Sequence, residues 1–149
     1  MPMNFRPFRD SDYSGLKAMI SALYSEDRGG KPITDDKILK TVTELGRNPC
    51  KGEIIIFEKD NTTIGYSILI FYWSNEYGGD ILHIDELYVK PEHRRHGAAT
   101  SFINHVSRAF KGKIVALQLE VTPSNMKLMD YYRRLGFRKM RNIQLICTR

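Results

Sequence analysis

Residues 81–121 constrain the fold more than any other part of the chain. The apolar stretch ILHIDELYV runs to Val89 and is followed by Lys90-Pro91. A residue before proline is held extended, so residues 81–89 are predicted as a strand. A basic loop follows, and Gly97-Ala98-Ala99 opens a helix expected over 97–110. Phe102, Ile103 and Val106 fall on one helical face, and Gly112 stops the helix. Val115, Leu117, Leu119 and Val121 then alternate as a half-buried strand does. A strand–helix–strand run of this kind packs its helix on the sheet and makes part of the pairing parallel.

The flanking sequence supplies the rest of an α/β domain. Residues 4–9 read as a short strand. Asp10 or Ser11 caps a helix to about Ser25 with Leu16, Met19, Ile20 and Leu23 at helical spacing. Residues 28–32 read as a loop. Thr34-Asp35-Asp36 caps a second helix with Ile38, Leu39, Val42 and Leu45 on one face, ended by Asn48-Pro49. Residues 53–58 and 63–73, joined by the polar turn Lys59-Asp60-Asn61, form a hairpin. Residues 74–80 are a loop. Ser124 caps a short helix ending at Gly136, and residues 137–147 are expected to add one or two closing strands. With 149 residues and no repeat or linker, the chain is expected to be a single domain, 1–149.

Charge is divided unevenly. Residues 1–89 hold ten basic and fourteen acidic residues, a net −4, and residues 90–149 hold thirteen and three, a net +10. A basic half suits an anionic partner such as a phosphorylated cofactor, and an acidic half suits a cationic one. Interleaved aromatics and a nucleic-acid-binding motif are missing, so no nucleic-acid partner is expected. No apolar run reaches membrane-spanning length and the first residues form no signal peptide, which predicts a soluble, cytoplasmic protein with no membrane partner. Cys50 and Cys147 form no C-x-x-C pair and are read as small hydrophobes in or near a core. The four histidines show no metal-ligand spacing, so no metal is predicted.

The chemistry concentrates in residues 84–100, IDELYVKPEHRRHGAAT. The first backbone N–H groups of a helix lack internal acceptors and carry partial positive charge. Glycine and alanine let a phosphate approach them, and Arg94 and Arg95 add charge beside the same spot. Neither G-K-[ST] nor G-x-G-x-x-G occurs, so this is neither a P-loop nor a dinucleotide fingerprint.

Arg94-x-x-Gly97-x-Ala99 resembles the [QR]-x-x-G-x-[GA] cofactor loop of the GNAT superfamily of N-acetyltransferases. Upstream, Asp85-Glu86-Leu87-Tyr88-Val89 and Pro91 fit the same pattern. Downstream, Asn125-x6-Tyr132-x3-Gly136-Phe137 resembles its second signature. HRRHGAATSFIN is also similar to the corresponding stretch of aminoglycoside 3-N-acetyltransferases. The resemblance covers nearly the whole chain. It implies a mixed central sheet with helices on both faces, splayed at the acetyl-CoA site, with acetyl-CoA as co-substrate. Leu87, Tyr88 and Val89 would pair with the pantetheine arm. Arg94, Arg95, His96, Gly97, Ala98, Ala99 and Thr100 would hold the pyrophosphate. Asn125 would lie on the cofactor arm and Tyr132 near the sulfur.

Acyl transfer to an amine needs a base, an oxyanion donor and an acid. A lysine-like amine has a pKa of about 10.4, so its neutral form costs roughly 4–5 kcal/mol at pH 7. Glu86 is the chosen base, because successive strand residues face opposite sides and only one of Asp85 and Glu86 can enter the cleft. Asp85 and a bound water remain alternatives. A backbone N–H near Val89 would hold the oxyanion, and Tyr132 would protonate the departing thiolate. Tyr132 is seven residues from Asn125 and shares its helical face, whereas Tyr131 is placed with Leu128 and Leu135 as a packing residue.

For the acceptor, Glu26, Trp73, Glu76, Tyr77 and Asp85 are carboxylates and aromatics suited to a cationic amine. The expected function is therefore acetylation of a primary amine, aminoglycoside- or polyamine-like, by direct attack in a ternary complex. The alternatives are acetylation of a protein or peptide and a non-catalytic module that binds acetyl-CoA or nucleic acid. Many members of the family dimerise, so a homodimer is compatible with the resemblance.

Overall fold

A computed structural model describes residues 2–27 and 29–149. Arg28, which the sequence places in a loop, lies outside them. The chain forms two compact units, Met1–Leu119 and Glu120–Arg149.

The first unit is built on a five-stranded mixed sheet in the order β1-β2-β3-β4-β5. The strands are β1 (Asn4–Pro7), β2 (Gly52–Lys59), β3 (Thr62–Ser74), β4 (Gly79–Val89) and β5 (Ala116–Leu119). The first four pair antiparallel, and β5 joins β4 parallel. Asp60 and Asn61 both take positive φ, as a two-residue turn between twisted strands requires.

Helices α1 (Tyr13–Glu26) and α2 (Asp35–Arg47) cover one face of this sheet, and α3 (Ala98–Ala109) covers the other. On the first face, Leu16, Ile20 and Ile38 pack with Ile54, Ile56 and Tyr66. On the second, Phe57 and Phe102 lie 4.6 Å apart between ring centroids and Phe71 and Phe110 5.3 Å. Alternation along β2 explains the division: Ile54 and Ile56 point one way, Phe57 the other. Leu39, expected on the buried face of α2, is 53% exposed.

The start of α1 differs from the sequence reading. A 3-10 turn, Asp10–Asp12, precedes the helix. The residue at the N-cap position of α1 is Asp12 instead of Asp10 or Ser11; its carboxylate bonds none of the helix's first N–H groups and accepts the Arg9 N–H, before the turn, at 2.8 Å. The Arg6 guanidinium donates to both Asp12 oxygens at 2.7 and 2.9 Å and to Glu58 at 2.8 Å. One cation thus joins β1, β2 and the entry to α1. At α2, Thr34 caps as expected, accepting from the Lys37 N–H.

The second unit contains α4 (Met126–Arg134). Its cap is Asn125 in place of Ser124: the Asn125 side chain accepts the Leu128 N–H at 3.1 Å. The closing strands expected over 137–147 do not form; residues 137–149 contain no strand. Ile143, Leu145 and Ile146 are 89%, 96% and 91% exposed. β propensity yields a strand only where a partner supplies the ladder. Cys50 and Cys147, read from sequence as small hydrophobes in or near a core, are both exposed. No helix among the described residues is long and apolar enough to cross a membrane.

Arg6 holds the carboxyl of Asp12 below the usual carboxylate range, mainly through their hydrogen bonds. A depressed folded-state pKa stabilises the fold above the unfolded value, near 4, and that stability is lost as pH falls through the folded value. Asp12→Asn is expected to cost about 2 kcal/mol at pH 7. Urea melts as a function of pH should show the deficit shrinking below pH ~4.

Candidate active site

Parity along β4 changes at one residue. In the register, Leu69 pairs with Ile84 and Ile68 with Glu86, so Asp85 is the extra residue of a β-bulge. Ile84 therefore shares a face with Leu69, while Glu86 shares one with Ile68, two residues along yet on the opposite side. Without the bulge, Glu86 would follow Ile84 toward the α3 face. With it, Glu86 enters the core face of α1 and α2.

There the Glu86 carboxylate accepts two tyrosine hydroxyls, Tyr66 at 2.7 Å on Oε1 and Tyr24 at 2.9 Å on Oε2. Its backbone carbonyl accepts from Ser67 Oγ at 2.8 Å. Burial pushes the Glu86 carboxyl above its ordinary value, the two hydroxyls pull it down, and Asp85 adds to the rise. Asp85 itself is exposed and lies 3.6 Å from His83 Nε2.

The same region opens the sheet. β5 pairs with β4 only from Ile81 to Ile84. Beyond the bulge, Leu87, Tyr88 and Val89 have no strand partner on the β5 side among the described residues. Apart from the Val89 carbonyl, which accepts from Arg94 Nε, their main-chain groups on that side form a short edge able to pair with an extended ligand arm.

The loop after β4 turns through a 3-10 segment, Pro91–His93, and reaches α3 with Arg95 at φ +64° and Gly97 at φ +79°. Such positive-φ positions beside a helix start turn successive N–H groups toward one concavity, a geometry suited to anions. Ala98 is buried, while Arg95, His96 and Gly97 are exposed.

Arg94 is committed elsewhere. Its Nε donates to the Val89 carbonyl at 2.7 Å, its Nη2 to Glu26 Oε1 at 2.7 Å, and its guanidinium sits 5.3 Å from the Tyr88 ring centroid. Arg94, expected among the pyrophosphate ligands, braces the end of β4. Glu26, expected at the acceptor, is its ion-pair partner. Arg95, next to Arg94, is exposed.

Of the other expected acceptor residues, Asp85 adjoins Glu86, while Trp73, Glu76 and Tyr77 do not converge on it. Trp73 ends β3, and Glu76 and Tyr77 lie in the turn before β4. From Gly79 to Glu86 a strand rises roughly 20 Å, so this tip lies at the far end of β4. Tyr24 and Tyr66, which the sequence reading missed, touch Glu86 instead. Tyr24 sits eight residues after Leu16 on the apolar side of α1, and that spacing was the only signal.

In the second unit, Asn125 caps α4 and Tyr132 lies near its end. Tyr132 is the buried tyrosine of the pair and Tyr131 the half-buried one, the reverse of the expectation that Tyr131 packs. The Tyr132 ring meets Tyr131 and Phe137 at 5.1 and 5.6 Å. Burial, with the neighbouring Tyr131, pushes its hydroxyl up to about 12.

Residues 17–137 match the Acetyltransferase (GNAT) family. The chain belongs to that family. Over 93 residues it is 32% identical to a thialysine N-epsilon-acetyltransferase of Sus scrofa, covering 62% of this chain and 52% of that protein. The Bos taurus enzyme of the same name is 34% identical over 74 residues, 49% of this chain and 43% of that protein. The chain spans about half the length of the curated relatives it matches. A possible acetyltransferase from Clostridium difficile 630 has the same fold, with a TM-score of 0.79, 22% identity and coverage of 99% of this chain and 100% of that one. The aminoglycoside N-acetyltransferase AAC(6')-Iy, solved in complex with CoA, superposes with a TM-score of 0.79 at 18% identity, covering 99% and 95%. The mixed sheet, with helices on both faces and β4 parting from β5, is the GNAT fold.

Acetyl-CoA is expected to raise the melting temperature, since a ligand that binds only the folded state stabilises it. Gly97 has open space where a Cβ would stand, so Gly97→Glu folds with strain from its positive φ and sets a negative charge at the helix start. Thermal melts should show the acetyl-CoA shift in wild type and none in Gly97→Glu. An equal shift in both would remove this loop from the binding site.

Proposed function

We propose that this chain transfers an acetyl group from acetyl-CoA to the primary amine of a cationic small molecule, by direct attack in a ternary complex. The observation that carries the reading is the Glu86 carboxylate, held in the core face beside the unpaired end of β4. The names of the curated relatives support an amine on a lysine analogue, and those of several structural neighbours an amine on an aminoglycoside.

Acetyl-CoA supplies the activated acetyl thioester. The backbone of Leu87, Tyr88 and Val89 lines its arm. The N–H groups from Gly97 to Thr100, with Arg95 and His96, hold its pyrophosphate. Glu86 attracts the ammonium and takes its proton, directly or through water, so that the neutral amine is generated in place. Burial raises the Glu86 carboxyl above its ordinary value, which makes the carboxylate a better proton acceptor. Asn125 orients the cofactor arm. The Tyr132 hydroxyl, protonated throughout the physiological range, donates a proton to the leaving sulfur. Neither cysteine enters this scheme.

A panel of thialysine, polyamines, aminoglycosides and lysine peptides, assayed by thiol release, tests the acceptor class. Turnover confined to acidic or neutral acceptors would sink the cationic-substrate reading, and turnover confined to peptides would move it to protein acetylation.

Two substitutions test the roles. Glu86→Gln keeps the side chain's shape and removes its charge. It is expected to lower kcat/KM by about 10²-fold below the amine's pKa, with recovery as pH rises and free amine accumulates. An unchanged pH profile would leave Asp85 or a bound water as base. Tyr132→Phe should lower kcat by about 10²-fold with acetyl-CoA affinity retained, while Tyr131→Phe changes little. The opposite pattern would transfer the acid's role to Tyr131.

A further inference from the structure

The cradle around Glu86 is more elaborate than a base alone requires. Each carboxylate oxygen has its own tyrosine, from separate elements: Tyr66 from β3 and Tyr24 from α1. Tyr66 is fully buried, among the largest fully buried side chains, and the pair faces an otherwise apolar core of Leu16, Ile20 and Ile68. A phenol can fill such space as Phe does; its hydroxyl is explained by what it touches.

An ionised carboxylate only accepts hydrogen bonds, so both hydroxyls donate to it at once. A protonated carboxyl carries its own O–H and would leave one donor poorly served. The arrangement therefore favours the anion against the burial that disfavours it. With both oxygens anchored, the carboxylate plane cannot swing, and its remaining lone pairs keep a fixed direction.

We infer that Tyr24 and Tyr66 are positioning residues that hold the Glu86 carboxylate ionised and in one orientation; their part in the reaction rests on the reading of Glu86 as base. The groups facing Glu86 are Tyr24 on α1, Tyr66 on β3 and Asp85 beside it on β4, with Tyr88 and Asp27 acting on the two tyrosines. Burial and the Glu86 charge raise both tyrosine hydroxyls above their ordinary values, so they stay neutral donors over the working range. Tyr66 is the fixed anchor, while Tyr24, less buried, stands at the side of Glu86 bounded by α1. The end of that helix is tied through Glu26 to Arg94.

The test reads the carboxyl directly. In protein labelled with 13C at glutamate Cδ, the Glu86 signal, assigned by its loss in Glu86→Gln, is titrated in wild type, Tyr24→Phe, Tyr66→Phe and the double variant. Each single substitution keeps its ring and is expected to raise the Glu86 pKa by about 1, the double by more. The acid limb of kcat/KM for the fastest amine of the panel should move upward with it, at unchanged acetyl-CoA KM. In a Glu86→Gln background the same substitutions should have no further effect on rate, whereas a purely structural role would lower it there too. A Glu86 titration identical in wild type and both Phe variants would overturn the positioning role. A displaced carbon titration with an unmoved acid limb would remove Glu86 as the base, and the tyrosines' part in the reaction with it.

Discussion

The site depends on one extra residue in β4. Because side chains alternate along a strand, inserting Asp85 opposite the Ile68–Leu69 step reverses the facing of everything after it. Ile84 and Leu82 serve the α3 side, while Glu86 and Tyr88 serve the α1 and α2 side. Parallel pairing with β5 also ends at Ile84, where the ladder becomes irregular. A single bulge thus delivers a carboxylate into the core and leaves a backbone edge unpaired next to it. The buried Ser67 hydroxyl, bonded to the Glu86 carbonyl, holds the main chain just past the irregularity.

A buried carboxylate is costly unless its oxygens are bonded. Tyr24 and Tyr66 meet that need from two elements brought together only by the packing of α1 on the sheet. Arg94 ties the surroundings: one guanidinium joins the end of α1, the last carbonyl of β4 and the face of Tyr88. Loop, strand and helix end are thereby tied through one side chain, which suits the roles proposed for this loop and for Glu86. Arg95 beside Arg94 is exposed, and the backbone around Gly97 takes the positive φ that suits anion binding.

The division of charge along the chain takes on a different meaning in the fold. Glu26, counted with the acidic half, is an ion-pair partner of Arg94 from the basic half, at 2.7 Å. Asp12 and Glu58 are held by Arg6. Glu86 is half-buried and bonded to two tyrosine hydroxyls instead of a cation, which distinguishes it from these carboxylates, whose charge is already compensated.

Periodicity determined which segments became strands and helices, because burial of one face follows directly from spacing along the chain. The positions of β2 to β4, α1, α2 and α3 were legible for that reason, and the turn at Asp60-Asn61 and the glycine opening α3 from the residue types such places require. The family, too, was legible from Arg94, Gly97, Ala99, Asn125 and Tyr132. Glu86 was selected from sequence by alternation, yet the face it occupies was decided by a bulge that alternation cannot foresee, since a bulge exists only relative to a paired strand. The tyrosines on Glu86, the partner of Arg94, and the roughly 20 Å between Glu86 and the Trp73–Tyr77 tip depend on elements far apart in sequence. So does the absence of strand at residues 137–149, where a β-prone sequence has no ladder to join. Local spacing specifies elements; only their packing specifies which side chains meet.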